Sequence, residues 1–180
     1  NKKRSEIVQK NIACHQKLWY YENEKVSIVG TCPAERRYPM NVTVADCLRL
    51  PTLREAQLVA GAKGLDRAVS SVSVLEWPET NLLSDELIVG NELVISALVT
   101  IKDDVARQCC VLRHLRSMGA AGLVLFYVGV FIPQIDDALI AVADEINLPL
   151  IAMPFGRMDF RYSDMITDIV EYIHKTRIQG

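Results

Sequence analysis

Apolar and polar positions in the second half of the chain fall into blocks whose period alternates. "ELVISALV" from residue 92 is an almost unbroken apolar run, the pattern of a strand covered on both faces. Helical spacing follows over 103–118, with Val105, Cys109, Leu112 and Leu115 on one face. Asp103 and Asp104 suit the positive end of that helix, and Gly119 stops it. "GLVLFYV" from 122 is the next buried strand. "IPQIDDALIAVADEIN" is a second helix, with Pro133 near its first turn and Leu139, Val142 and Ile146 facing inward. "LPLIAMP" is a third strand closed by Pro154. A last helix over 160–176 presents Met165, Ile166, Ile169, Val170 and Ile173.

Earlier segments carry weaker signals. In "TVADCLRLP" Thr43 is an N-cap with Asp46 three residues on, and Pro51 ends the element. "AQLVAG" is a strand ending at Gly61, "GAKGLDRAV" is rich in turn residues, and "VSSVSVLEW" over 69–77 places Val69, Val72 and Val74 along a strand. Apolar strands joined by amphipathic helices of this length imply right-handed parallel crossovers. The expected fold is therefore α/β, a layered domain with a largely parallel central sheet flanked by helices. Ligands of such sheets bind beyond the carboxyl ends of strands, here the loops near 96–102, 127–133 and 153–159.

Residues 1–39 differ. Ile7, Ile12, Leu18 and Trp19 suggest a loosely amphipathic helix, "KVSIVG" over 25–30 a short strand, and Pro33 and Pro39 break regular structure. The expected division is an N-terminal helix-and-strand extension over 1–39 and an α/β domain over 40–180.

Half the 180 residues are hydrophobic and 23% are charged, an ordinary globular balance. The net charge of −2 supplies no field toward nucleic acid, and "KKR" and "RR" are too short to change that. The longest apolar stretch, 120–133, is too short to span a bilayer. Five cysteines without repeated spacing, and no secretory signal, fit reduced thiols and a cytoplasmic location.

The motifs of phosphate-binding loops, dinucleotide folds and serine nucleophile elbows are missing. Cys110 and His114 share a helical face, but nothing completes a four-ligand zinc set. The aspartate pairs at 103–104 and 136–137 fall in first helical turns, where amide ends account for them. "GAKG" over 61–64 has the form of an RNA-clamping G-x-x-G, but a plain turn accounts for it. No catalytic residue, metal or cofactor is nominated. Two carboxylates remain, Glu76 in "SVLEWPE" and Glu92 in "GNELVIS", each at the edge of an apolar strand. Each either accepts backbone N–H groups in a turn or lines a pocket for a polar ligand.

Taken in order, "VTVADCLRLPTLREAQLVAGAKGLDRAVSSVSVLE", "GNELVISAL" and "IPQIDDALIAVADEINLPLIAMP" resemble the N-terminal domain of PucR-type transcriptional regulators, over residues 42–173. The rhythm is more distantly similar to DRTGG-type domains and to the N-terminal domain of HPr kinase. The resemblance implies a regulatory, non-enzymatic sensor of purine or related nitrogen and carbon catabolism. Its implied partners are a small-molecule effector such as a purine or its breakdown product, a C-terminal helix-turn-helix region of a longer protein, and a second copy in a homodimer. It implies no nucleic-acid contact by this segment and no membrane.

The family's acidic position after the second strand falls on Glu76, and its "GEL" on Gly90, Glu92 and Leu93 with Asn91 inserted. Where family members carry a glycine after the next strand, this chain has Ser96, Ala97 and Leu98. The closing match is Pro149, Leu150 and Pro154. Candidate ligand-binding residues are Glu76, Gly90, Glu92, Ser96, Tyr127, Gly129 and Pro154, with Glu92 expected in a turn beside the pocket. Met165, Ile169 and Ile173 are candidates for a dimer or linker face, with packing on their own sheet as the alternative. The competing function is a dimerisation or docking module without a ligand.

Overall fold

The computed structural model describes residues 8–12, 16–20, 41–77 and 88–179. Residues 1–38 and 39–180 form two compact units. The first contains an antiparallel pair, β1 (Val8–Ile12) and β2 (Gln16–Tyr20), in register from Val8↔Tyr20 to Ile12↔Gln16. The expected helix here is therefore corrected to two strands. Val8, Ile12, Trp19 and Tyr20 are β-branched or aromatic, residue types that favour strands. "KVSIVG" lies outside the described residues.

The second unit runs α1 (Val44–Cys47), β3 (Gln57–Ala60), β4 (Ser71–Val74), β5 (Glu92–Ser96), α2 (Val105–Ser117), β6 (Gly122–Leu125), α3 (Asp137–Glu145), β7 (Leu150–Ala152) and α4 (Tyr162–Gln179). Its sheet has the order β3-β7-β6-β5-β4. β4, β5, β6 and β7 are parallel, and β3 pairs antiparallel with β7 at one edge. This is the expected largely parallel α/β architecture.

Alternation along the central strands divides the core. Val94, Leu123, Leu125 and Leu150 pack with Val111, Leu112 and Leu115 of α2 and Leu139 and Ala143 of α3. Leu93, Ile95, Val124 and Ile151 face Val44 and Cys47 of α1 and Met165, Ile169 and Ile173 of α4. Residues in β5, β6 and β7 are buried throughout, which is why these segments read as continuous apolar runs.

Local chemistry sets the helix ends. Thr43 and Asp46 form a reciprocal capping box, with Asp46 N–H to Thr43 Oγ1 at 3.2 Å and Thr43 N–H to Asp46 Oδ2 at 3.0 Å. Asp104 and Asp136 are the N-caps of α2 and α3, accepting Arg107 N–H at 2.9 Å and Ala138 N–H at 2.8 Å. Asp103 and Pro133 thus lie ahead of their helices rather than within a first turn. The buried face of α2 is Gln108, Val111, Leu112 and Leu115, so Cys109 and Val105 are only partly covered. Gln108 is satisfied there by donating to Ile101 O at 2.9 Å and Lys102 O at 3.0 Å.

The "GAKG" glycines are packing requirements. Gly61 has φ +73°, and a Cβ on it would lie 2.0 Å from Leu148 O. One on Gly64 would lie 2.4 Å from Asn147 O. The segment is a close crossing of β3's end over residues 147–149.

Candidate functional site

The parallel strands deliver their carboxyl ends to one edge of the sheet. There β4 continues into Leu75, Glu76 and Trp77, β5 into Ala97 and Leu98, β6 into Phe126 and Tyr127, and β7 into Met153 and Pro154.

Glu76 is exposed, and its carboxylate reaches across to the loop after β5. One oxygen accepts Ala97 N–H at 2.6 Å and the other Val99 N–H at 3.3 Å. Between them, Leu98 N–H is accepted by Ser96 Oγ at 3.0 Å. Three successive amides are thus held by two side chains, and the Thr100 hydroxyl donates to Trp77 O to bring the two loops together. The arrangement fixes Leu98 in the left-handed region at φ +49°, although it is a buried leucine. That conformation costs about 1–2 kcal/mol for a residue with a Cβ. A glycine would take it without this cost.

A second left-handed residue follows β6. Tyr127 has φ +58°, and its hydroxyl donates to Phe160 O at 3.2 Å. Its ring stands edge-on to Phe126 and Phe131, each at 5.5 Å between centroids. Tyr162, the first residue of α4, meets Phe126 edge-on at 4.6 Å and Tyr127 at 5.7 Å. Burial raises the Tyr162 phenol above its ordinary value, and the nearby Glu76 carboxylate and Tyr127 raise it further. Gly129, at φ +85°, lies under the Phe155 ring, where a Cβ would come within 2.7 Å. Arg157 anchors the loop after β7, pairing with Glu55 at 2.9 Å and with Asp159 while stacking 4.5 Å from the Phe160 centroid.

Five of the sequence-nominated residues therefore meet at this edge: Glu76, Ser96, Tyr127, Gly129 and Pro154. Gly90 and Glu92 do not. Glu92 is the first residue of β5, four residues before Ser96, so about 13 Å separates them along the strand. The expectation of Glu92 in a turn beside the pocket is corrected: it lies within the strand, at the opposite end of the sheet. Its carboxylate is buried and accepts Ser71 Oγ and Ser73 Oγ, each at 3.2 Å, from the adjoining edge strand. Gly90 and Asn91 form the left-handed turn into β5, with Asn91 N–H bonded to Gly119 O at 2.8 Å. Met165, Ile169 and Ile173 are buried on their own sheet, so they offer no dimer or linker face. Phe155 at 69% and Met158 at 59% exposure are instead the prominent exposed apolar side chains near the carboxyl edge.

Among the described residues, no group of three His, Cys, Asp or Glu side chains is placed to hold a metal. No helix among them is long and apolar enough to cross a membrane. Cys47 is buried, which pushes its thiol up to about 12 and keeps it protonated.

Comparison with known proteins matches residues 46–173 to the PucR, purine catabolism regulatory protein-like, family. The purine catabolism regulatory protein of Bacillus subtilis (strain 168) is 24% identical over 132 residues, covering 73% of this chain and 23% of that protein. The match thus spans under a quarter of that relative's length.

Proposed function

The chain belongs to the purine catabolism regulatory protein-like family, and on that premise we propose that its α/β domain is the ligand-sensing part of a cytoplasmic bacterial transcription regulator, not an enzyme. The effector belongs to purine or related nitrogen and carbon catabolism. The observation that carries this reading is the carboxyl edge of the sheet. Two non-glycine residues, Leu98 and Tyr127, lie there in left-handed conformations, the first framed by the Glu76 and Ser96 side chains and the second tied through its own hydroxyl to Phe160 O. Strain of this kind persists only where the surroundings over-determine it, and it concentrates at ligand sites and switches.

A ligand that binds one arrangement of these loops more tightly shifts the population toward it. Tyr162 stands in the same aromatic cluster and begins α4, so a rearrangement of the edge displaces the start of that helix. In the full regulator the change passes to a C-terminal DNA-binding region, and pairing of two copies suits symmetric half-sites. The competing docking-module reading draws on the exposed Phe155 and Met158.

A thermal-shift screen of the chain against purines and their breakdown products separates the two. Ligand at ~100 times its Kd adds about 2.7 kcal/mol, roughly 5–10 °C for a domain of this size. A selective hit supports sensing, and a flat response across the panel supports docking.

A further inference from the structure

The connection from β7 to α4 is held to the domain in two different ways. Up to Gly156 the ties are backbone bonds, Met153 N–H to Leu125 O at 2.9 Å and Gly156 N–H to Val128 O at 2.8 Å. Beyond it side chains take over. The Arg157 guanidinium grips Asp159 with two nitrogens, Nε to Oδ1 at 2.9 Å and Nη2 to Oδ2. Its third nitrogen, Nη1, reaches across to Glu55 Oε2 at 2.9 Å. The same guanidinium covers Phe160, 4.5 Å from the ring centroid. Phe160 is half-buried and packs, with Tyr127 and Tyr162, against the core cluster that contains Phe126, Met153 and Met165. Its carbonyl accepts the Tyr127 hydroxyl at 3.2 Å. Residues 155–159, by contrast, are all exposed.

We propose that residues 157–161 form a lid over the aromatic cluster at the carboxyl edge, with Phe160 as its inner face and the Arg157–Glu55 ion pair as its catch. Gly156 supplies the hinge. It sits at φ +73°, which glycine enters without strain, and a Cβ there would meet no heavy atom within 4 Å. The catch is weak by construction. The Arg157, Glu55 and Asp159 side chains are 43%, 51% and 61% exposed, and exposed ion pairs contribute little and are screened by salt. Asp159 is the positioning partner, because its two oxygens fix the planar fork that aims the remaining nitrogen at Glu55. Lifting the lid breaks these surface contacts and leaves the backbone bonds of Met153 and Gly156 in place. It withdraws Phe160 from Tyr127 and Tyr162 and opens their rings to a ligand. It also frees the residues immediately ahead of α4, so access to the edge and the start of that helix change together. The lid rests on the ligand-sensing reading for its purpose and adds to it the device that controls entry.

Chymotrypsin cleavage after Phe160 in the intact chain reads the opening, because cutting of a held segment tracks the population of its open state. Rates are normalised to an unstructured peptide in the same buffer. Raising NaCl from about 0.1 M to about 1 M shortens the Debye length from about 10 Å to about 3 Å, and cleavage should accelerate about two- to fivefold. Arg157→Met keeps a long stem and removes the charge, so it should cut at the accelerated rate already at low salt and lose the salt response. Glu55→Gln should behave in the same way. Tyr127→Phe removes the bond to Phe160 O and should accelerate cleavage while keeping the salt response. A rate in the parent that ignores salt, or a full salt response in both Arg157→Met and Glu55→Gln, overturns the lid. So does acceleration that appears only with a matching fall in the urea midpoint, since cutting then proceeds from global unfolding. Such results leave the sensing reading standing if a metabolite in the wider screen binds. A flat screen removes sensing, and the salt response of cleavage still decides the lid's motion.

Discussion

Glu76 looks like a surface carboxylate, and its removal should cost far more than a surface substitution. Its oxygens hold Ala97 N–H at 2.6 Å and Val99 N–H at 3.3 Å, and Ala97 is almost fully buried. A hydrogen bond to a charged acceptor contributes about 1.5–3 kcal/mol net, and the shorter, covered bond belongs toward the upper part of that range. The longer one, at an exposed residue, is readily replaced by water and adds little. Glu76→Ala should therefore cost about 2–3 kcal/mol, with the left-handed strain at Leu98 now unopposed. Glu76→Gln keeps an oxygen for Ala97 but turns an amide NH2 toward the Val99 N–H, and should cost about 1 kcal/mol. Urea unfolding with an unchanged m-value reads both differences. Amide exchange locates them, because protection should fall at Ala97, Leu98 and Val99 and stay constant in β6. Surface substitutions away from such contacts fall within about 0.5 kcal/mol. If Glu76→Ala stays inside that band with protection at 97–99 intact, the latch does not hold the loop.

Three further outcomes follow from the same geometry. Glu92→Ala strips Ser71 and Ser73 of their acceptor and should cost about 1–2 kcal/mol in urea unfolding, with no change in affinity for any ligand bound at the carboxyl edge. Ile169→Ala empties a fully buried position between α4 and the sheet, and should cost about 2–5 kcal/mol while the oligomeric state by light scattering stays that of the parent. The hydroxyl of Thr43 holds the Asp46 carboxyl below its ordinary value, so the capping box contributes its stability above about pH 4 and loses it as pH falls through the folded-state value. The stability gap between parent and Asp46→Asn should accordingly narrow between pH 7 and pH 3.

The central strands were legible because burial on both faces removes polar residues from them. "ELVIS", "GLVL" and "LIA" are apolar for the same reason that they lie in the middle of a parallel sheet. Helix starts were legible to within a few residues from Thr43, Asp104 and Asp136, since capping chemistry is local. The N-terminal hairpin was misread because a few apolar residues in a polar segment fit a period of 3.6 about as well as strand alternation. Glu76 and Glu92 looked equivalent, each beside an apolar run. Only the direction of the strands separates them, since one follows β4 and the other begins β5. Tyr162, Phe131, Phe155 and the strained Leu98 left no local signal. Their positions become meaningful only when four strands bring distant loops to one edge, and a positive φ at leucine or tyrosine is not written in residue type.

The most direct test of the carboxyl edge as a sensing site is hydrogen exchange of the chain, with and without a saturating small-molecule hit from the metabolite screen. Binding there should slow exchange in residues 97–101, 127–132 and 153–162 and leave Gly90, Asn91 and Glu92 unchanged. Protection centred on the turn at Gly90 and the Glu92–Ser71–Ser73 cluster, with the carboxyl loops unaffected, would contradict the assignment.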